Sequence, residues 1–175
     1  MKTLTTLLTT LALATPALAL ADTGPDPVAR MECMVGNWKG TGTITLGTDT
    51  AKIEGTWNCK RTSGKHGVLC ILKITGIPGL PVYEETDLFG YEPNSATYHW
   101  ASVTNAGETH DHVAKVPDGS KLQFVYTGTQ EGKPLKEVID MEFSGAKKTA
   151  DTIVLRGETF VGGASTSVIA VKLRK

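Results

Sequence analysis

Three histidines near the middle of the chain are the residues best suited to chemistry. His110 and His112 are two positions apart, and side chains with this spacing on a β-strand point to the same face. Two imidazoles placed in this way can chelate a metal ion or hydrogen-bond a polar ligand. His99 precedes them across a turn at residues 105–107, and the length of that turn decides whether it joins the pair.

The turn at residues 105–107 allows two strand registers. A two-residue turn places His99 opposite His112. A three-residue loop instead places Trp100 opposite His112, and His99 then points to the other face. We favour the loop, because Gly107 readily adopts the left-handed conformation that it needs. The loop also brings a set of mostly apolar residues to one face: Tyr98, Trp100, Ala114 and Val116.

On this register His110 and His112 lie inside the fold, near Trp100. We expect one of them to orient the polar end of a ligand, since histidines on strands more often hydrogen-bond or face solvent than bind metal. The sequence therefore predicts no metal ion and no cofactor here, and a His-based metal-dependent enzyme is an alternative.

A second polar segment, Tyr83-Glu84-Glu85-Thr86-Asp87, places Glu85 and Asp87 on one strand face. Paired carboxylates perform acid and base catalysis in glycosidases, but the pattern is generic, and we expect both side chains to be solvated. Arg156 and Glu158 are likewise expected to face outward, whereas an inward Arg156 would be an anion anchor. The sequence contains no nucleophile elbow, phosphate-binding loop or zinc-protease helix, so it assigns no catalytic residue.

Three cysteines suggest one disulfide and one free thiol. A type II′ turn with Gly64 and Lys65 at its centre places Cys59 directly opposite Cys70, with Cα atoms about 5.5 Å apart. We therefore predict a bond between Cys59 and Cys70. A bond from Cys33 to either strand is the alternative.

The first 21 residues have the layout of a secretory signal peptide: a charge at Lys2, an apolar stretch, a break at Pro16 and small residues up to Ala21. We place cleavage after Ala21, with cleavage after Ala19 as the alternative. Residues 22–175 then form one domain, which is periplasmic or secreted. The chain has 18 Lys and Arg against 18 Asp and Glu, without basic clusters, which argues against nucleic acid as a partner. No later apolar run has the length that membrane insertion requires.

Alternating apolar and polar residues dominate the rest of the chain and predict an all-β fold. A short helix is expected from Pro27, with Asp26 as its cap, to Gly36. About ten short strands favour an antiparallel up-and-down barrel, because closure removes exposed sheet edges; the helix closes one end, and a two-sheet sandwich is the alternative. The strands are expected at Trp38–Leu46, Ala51–Lys60, Val68–Ile74, Val82–Tyr91, Ala96–Thr104, Glu108–Val116, Lys121–Gly128, Leu135–Phe143, Thr152–Phe160 and Ser167–Arg174.

Alternate residues of these strands form the inner face of the barrel. We expect five aromatic residues to line a cavity, together with His110 or His112: Trp57, Tyr98, Trp100, Phe124 and Tyr126. The other inward residues are expected to be Trp38, Ile44, Leu46, Ile53, Val68, Leu72, Leu122, Ile153, Leu155, Ile169, Val171 and Leu173.

The opening of the first strand carries a family resemblance. Gly36-Asn37-Trp38 after a short helix resembles the G-x-W motif of lipocalins and the wider calycin group. The longer run from Gly36 to Gly42 is similar to secreted bacterial lipocalin-like domains of unknown function. The resemblance implies that Trp38 is structural, at the closed end of the barrel, and that the interior holds a small apolar molecule.

Two departures from related barrels limit what the interior binds. Nitrobindin-like barrels ligate haem through a His on a late strand, and the last two strands expected here contain no His. Fatty-acid-binding proteins hold a carboxylate with an Arg-x-Tyr pair on the final strand, and this chain has no such pair there. The resemblance therefore supports neither haem nor a fatty-acid carboxylate clamp.

These observations together predict an exported protein that binds a small apolar or amphipathic ligand. The alternative from another class is a packed barrel that binds a protein partner through rim loops such as residues 76–81. Nothing in the sequence identifies that partner.

Overall fold

The structure is a computed structural model that describes residues 27–62, 64–115, 121–146 and 149–175. The expected signal peptide and its cleavage site, the cap at Asp26 and the inward position of Val116 lie outside these residues. The described residues form one helix and ten strands: α1 (Pro27–Glu32), β1 (Gly36–Leu46), β2 (Asp49–Arg61), β3 (Gly67–Thr75), β4 (Tyr83–Glu92), β5 (Thr97–Thr104), β6 (Thr109–Lys115), β7 (Lys121–Gln130), β8 (Lys133–Ala146), β9 (Thr149–Val161) and β10 (Ala164–Arg174).

The strands close into an antiparallel up-and-down barrel, as the sequence predicted. Each strand pairs with its neighbours along the chain, and β1 pairs with β10 to complete the circle. The two-sheet alternative is therefore wrong. No helix in the described part of the chain is long and apolar enough to cross a membrane.

Several strands extend beyond their expected bounds because their turns are short. Glu131 and Gly132 both have positive φ, 50° and 75°, and connect Gln130 directly to Lys133. Two residues with positive φ form the tight hairpin turn whose twist matches that of the flanking strands. Strand β8 therefore begins two residues before the expected Leu135.

The predicted register of the β5–β6 hairpin is confirmed. Trp100 pairs with His112, and Gly107 has a φ of 86° in the three-residue loop. The amide of Thr104 donates to the carbonyl of Glu108 across the base of the loop, at 3.0 Å.

The β2–β3 hairpin has the expected register but a different turn. Cys59 pairs with Cys70 and the two form the predicted disulfide, while Cys33 is free. The Cα atoms are 4.0 Å apart, closer to the roughly 4.5 Å of a non-hydrogen-bonded pair than to the expected spacing. Lys65 has a φ of 58°, whereas the second central residue of a type II′ turn has a negative φ, so the type II′ turn is wrong. The amide of Lys65 donates to the carbonyl of Thr62, and the amide of Thr62 donates to the carbonyl of Gly67, which is the expected register.

The helix lies at one end of the barrel, which we call the helix end. The indole of Trp38 donates to the carbonyl of Met34 at 2.6 Å, and the hydroxyl of Tyr98 donates to the carbonyl of Pro27 at 3.2 Å. Trp38 is fully buried there. The opposite end, which we call the far end, is formed by the hairpins β1–β2, β3–β4, β5–β6, β7–β8 and β9–β10.

The predicted inner face is largely the observed core. Every one of its described residues is buried or half-buried. The sequence-derived alternation therefore identified the inside of the barrel correctly on most strands, and the exception is β4.

Candidate functional site

Aromatic side chains fill the middle of the barrel. We call Trp57, Phe89, Trp100 and Phe124 the aromatic layer; each is at most 4% exposed. Ring centroids lie 5.0 Å apart between Phe89 and Trp100 and 5.5 Å apart between Trp100 and Phe124. These spacings are those of favourable aromatic contacts. The sequence analysis did not place Phe89 on the inner face. Phe89 lies on β4, the strand on which the structure differs most from the sequence-based expectation.

The correction on β4 concerns Glu85 and Asp87, which were expected to be solvated and are buried. Asp87 is completely buried and Glu85 is 8% exposed. Both indoles of the aromatic layer donate to Asp87, Trp57 to Oδ2 at 2.8 Å and Trp100 to Oδ1 at 2.7 Å. A buried indole N–H requires an acceptor, and Asp87 supplies one to each tryptophan. The position of Phe89, two residues further along the same strand, was the signal that this face points inward.

The buried carboxyl of Asp87 retains its proton more strongly than an exposed one. Burial and the nearby charge of Glu85 raise the pKa of Asp87 to about 9, against the opposing effect of the two indole donors. Tyr83 donates its hydroxyl to Glu85 at 3.0 Å, and burial, followed by the charge of Glu85, raises the pKa of Tyr83. At neutral pH Asp87 therefore keeps its proton inside the barrel.

A second polar group consists of His110, His112 and Glu137, which we call the His–Glu cluster. Nδ1 of His110 and Nε2 of His112 lie 2.9 and 2.8 Å from the same atom, Oε2 of Glu137. The two histidines are on β6 and Glu137 is on β8, with β7 between them. The set contains one candidate metal-ligand atom per residue, and these atoms all lie within 4.8 Å of one another.

The sequence predicted the two histidines of this cluster but not the carboxylate. Glu137 alternates with the same strand positions as Leu135, Ile139 and Met141, so all four side chains lie on one face of β8. These apolar residues were the available signal that Glu137 points inward. Burial acts to raise the pKa of Glu137, but hydrogen bonding to His112 and the charge of His110 outweigh burial and lower it. Glu137 is therefore ionised at neutral pH.

Tyr126 forms one wall of the His–Glu cluster. Its ring stacks on His110, with centroids 4.1 Å apart and planes 16° apart. The ring also lies over Gly128, where a Cβ atom would collide with it. The missing side chain at Gly128 therefore allows Tyr126 to cover His110.

The remaining predicted site residues separate into two groups. His99 lies on the outside, where its Nδ1 is 3.1 Å from Asp111, as the three-residue loop required. Arg156 is exposed, as expected, and pairs across strands with Asp140. Tyr98 is buried beneath the helix, whereas His110 and Tyr126 are only half-buried. Ligand binding by the predicted lining residues stays a prediction.

A wide depression on the outer face of β1–β4 is less suited to be the site. It measures about 720 Å³ and is lined by exposed side chains of both charges, among them Lys39, Glu54 and Lys73. Small-molecule sites typically have a few convergent polar groups in an apolar setting, and the side chains inside the barrel fit that description better than this depression does.

Comparison with known proteins supports the fold. No family model matches the chain, and no curated protein matches it. Among solved structures it is similar to Rv2717c from M. tuberculosis, with a TM-score of 0.61 and 12% identity over 86% of this chain and 98% of that one. It is also similar to the S-type phycobiliprotein lyase CPES from Guillardia theta, with a TM-score of 0.54 and 10% identity over 83% of this chain and 90% of that one. At this identity the likeness concerns the fold alone, which is a closed antiparallel barrel of the lipocalin-like type.

Proposed function

We propose that the protein is an exported binding protein for small amphipathic molecules, which enter the barrel at the far end. The proposal rests on one observation: at the far end, the inside of the barrel has one polar wall and one apolar wall. Strands β4–β8 contribute polar side chains to one wall: Tyr83, Glu85, Ser102, Thr104, His110, His112, Tyr126 and Glu137. Strands β1–β3 and β10 contribute apolar side chains to the other: Ile44, Leu46, Ile53, Ile74 and Ile169.

The aromatic layer forms the floor of this site. Its side chains contact one another and are almost fully buried, so they offer a ligand little additional surface. The half-buried rings of His110 and Tyr126 lie nearer the far end and are accessible to a ligand. A molecule with one apolar and one hydrogen-bonding side matches the two walls, because each buried polar group then keeps a partner.

Two further observations support the proposal. The disulfide between Cys59 and Cys70 is typical of proteins in oxidising compartments, which agrees with the expected signal peptide. A phycobiliprotein lyase has the same kind of barrel, which supports a role with a small molecule.

The test uses protein expressed from the full sequence and an environment-sensitive apolar dye. We expect the protein to bind the dye and to unfold at a higher temperature when the dye is bound. Ile169→Gln places a polar group on the apolar wall and should weaken dye binding by about 10-fold, from roughly 1–2 kcal/mol of lost burial. Val168→Gln is the matched control, because Val168 is the adjacent residue and is 42% exposed.

Absence of dye uptake, or an equal loss in both variants, would contradict a binding site at the far end. The packed barrel that binds a protein partner would then be favoured. Mass spectrometry of small molecules extracted from the purified protein identifies the natural ligand. Export is tested separately by sequencing the N-terminus of the exported fraction, which should start at Asp22 or, with the alternative cleavage, at Leu20.

A further inference from the structure

We infer that His110, His112 and Glu137 bind one divalent transition-metal ion of the zinc type. This inference goes beyond the proposed small-molecule site and does not depend on it. Two imidazoles and one carboxylate are the protein ligands of a large class of zinc sites that keep one position open. The same ligands suit other first-row transition metals, whereas magnesium and calcium prefer oxygen ligands alone.

The three candidate ligand atoms already converge on one place. His110 Nδ1 and His112 Nε2 lie 2.9 and 2.8 Å from Glu137 Oε2. A tetrahedral ion with bonds of about 2.0–2.1 Å holds its ligand atoms roughly 3.3 Å apart. The carboxylate therefore withdraws by about half an ångström from each nitrogen, and the two nitrogens, which lie within 4.8 Å of each other, adjust to the same spacing. Each nitrogen presents a lone pair to the ion when its proton lies on the other ring nitrogen.

The cluster is also held by rigid elements. His110 and His112 are neighbours on one face of β6, and Glu137 is on β8 within a continuous sheet. Tyr126, stacked on His110, fixes the orientation of that ring from β7. Side chains carried by the strands of one sheet hold a site more precisely than side chains on loops.

Charge and access complete the argument. Glu137 supplies one negative charge, so a divalent ion with two neutral imidazoles retains one positive charge. His110 and Glu137 are 12% and 19% exposed, which leaves a route for water or an anionic ligand group to the fourth position. The ion would thus attract a molecule with an anionic oxygen or sulfur atom to the polar wall of the far end.

The experiment titrates Zn²⁺ into protein expressed from its full sequence, after treatment with a chelator. We expect one ion to bind per chain, the unfolding temperature to rise with Zn²⁺, and chelator to reverse the rise. Glu137→Gln and His110→Gln should each weaken Zn²⁺ binding by about 10-fold or more. Mg²⁺ should neither bind nor raise the unfolding temperature.

His99→Gln is the matched control. His99 also lies beside a carboxylate, 3.1 Å from Asp111, but these side chains are 37% and 55% exposed on the outside of the barrel. His99→Gln should therefore bind Zn²⁺ as the unchanged protein does. Loss of binding in this variant would overturn the assignment.

Folding of each variant is checked by circular dichroism without metal, and the absorption spectrum of bound Co²⁺ reports the coordination geometry. Folded protein that binds no Zn²⁺, or Glu137→Gln and His110→Gln variants that bind as tightly as the unchanged protein, would overturn the inference. Dye uptake measured in the presence of chelator tests the small-molecule site independently, so either proposal can fail alone.

Discussion

The indole nitrogen of Trp100 lies 2.7 Å from Oδ1 of Asp87, on the neighbouring strand. Trp57 makes the equivalent bond to the other oxygen from two strands away on the opposite side. One carboxyl thus joins two of the three buried tryptophans and fixes their orientation. The aromatic layer is therefore specified by hydrogen bonds as well as by packing.

Substitution of Asp87 by Asn should destabilise the protein by about 1–3 kcal/mol, because the amide nitrogen cannot accept from an indole and one buried N–H loses its partner. Urea denaturation measures the loss. Asp111→Asn is the control, since Asp111 is exposed on the outer face. Equal stability of Asp87→Asn and the unchanged protein would show that the hydrogen bonds from the two indoles make no net contribution to the free energy of unfolding.

Stability should fall as pH rises from about 5 to 8. Asp87 has a pKa of about 9 in the folded state and 3.8 as its reference value, so between these values the folded state binds a proton that the unfolded state has released. Its contribution is fully present below pH 3.8 and is lost as pH approaches 9. The difference in urea midpoint between the unchanged protein and Asp87→Asn, measured across pH, isolates this group. A difference that does not change with pH would contradict the raised pKa.

Gly128→Ala should destabilise the protein by about 1–3 kcal/mol, because the added Cβ collides with Tyr126 and displaces its ring from His110. Thermal unfolding measures the loss, and NMR signals of the His110 ring report the displaced stacking. Gly90→Ala is the control: Gly90 is also in a strand, and a Cβ there meets no atom within 4 Å. A similar loss at both glycines would mean that backbone effects, not Tyr126, are responsible.

Reduction of the disulfide should destabilise the protein by about 2–4 kcal/mol, since the bond closes a hairpin whose cysteines are 11 residues apart. The unfolding temperature with and without reductant measures this effect. Cys33→Ala should behave as the unchanged protein, and the double variant Cys59→Ala with Cys70→Ala should lose its response to reductant. A response that disappears in Cys33→Ala instead would contradict the pairing.

The barrel was predictable from sequence because its determinants are local. Alternation identified the strands, and the turn residue Gly107 selected the register that places Trp100 opposite His112. The turn at residues 64–65 was assigned wrongly, yet the register was correct, because Arg61 pairs with Val68 and the amide of Thr62 donates to the carbonyl of Gly67.

The interior carboxylates were not predictable in the same way. Asp87 is buried because two indoles from other strands require acceptors, and those partners are 30 and 13 residues away in sequence. Glu137 likewise meets its histidines at separations of 27 and 25 residues. Residue type alone favours solvent for both. The apolar residues two positions away, Phe89 and Ile139, indicate which face is inward, but only the closed sheet shows the partners that the carboxylates meet.

The pairing of β1 with β10 has a consequence for synthesis. Strand β1 is synthesised first and can pair with β10 only when the last strand has been made. The nascent chain therefore has an unpaired strand edge on β1 throughout translation. The hairpins from β2 to β9 need only sequence neighbours and can form during that time. A chain that stops before β10 would leave two unpaired strand edges, on β1 and β9, and should be prone to self-association.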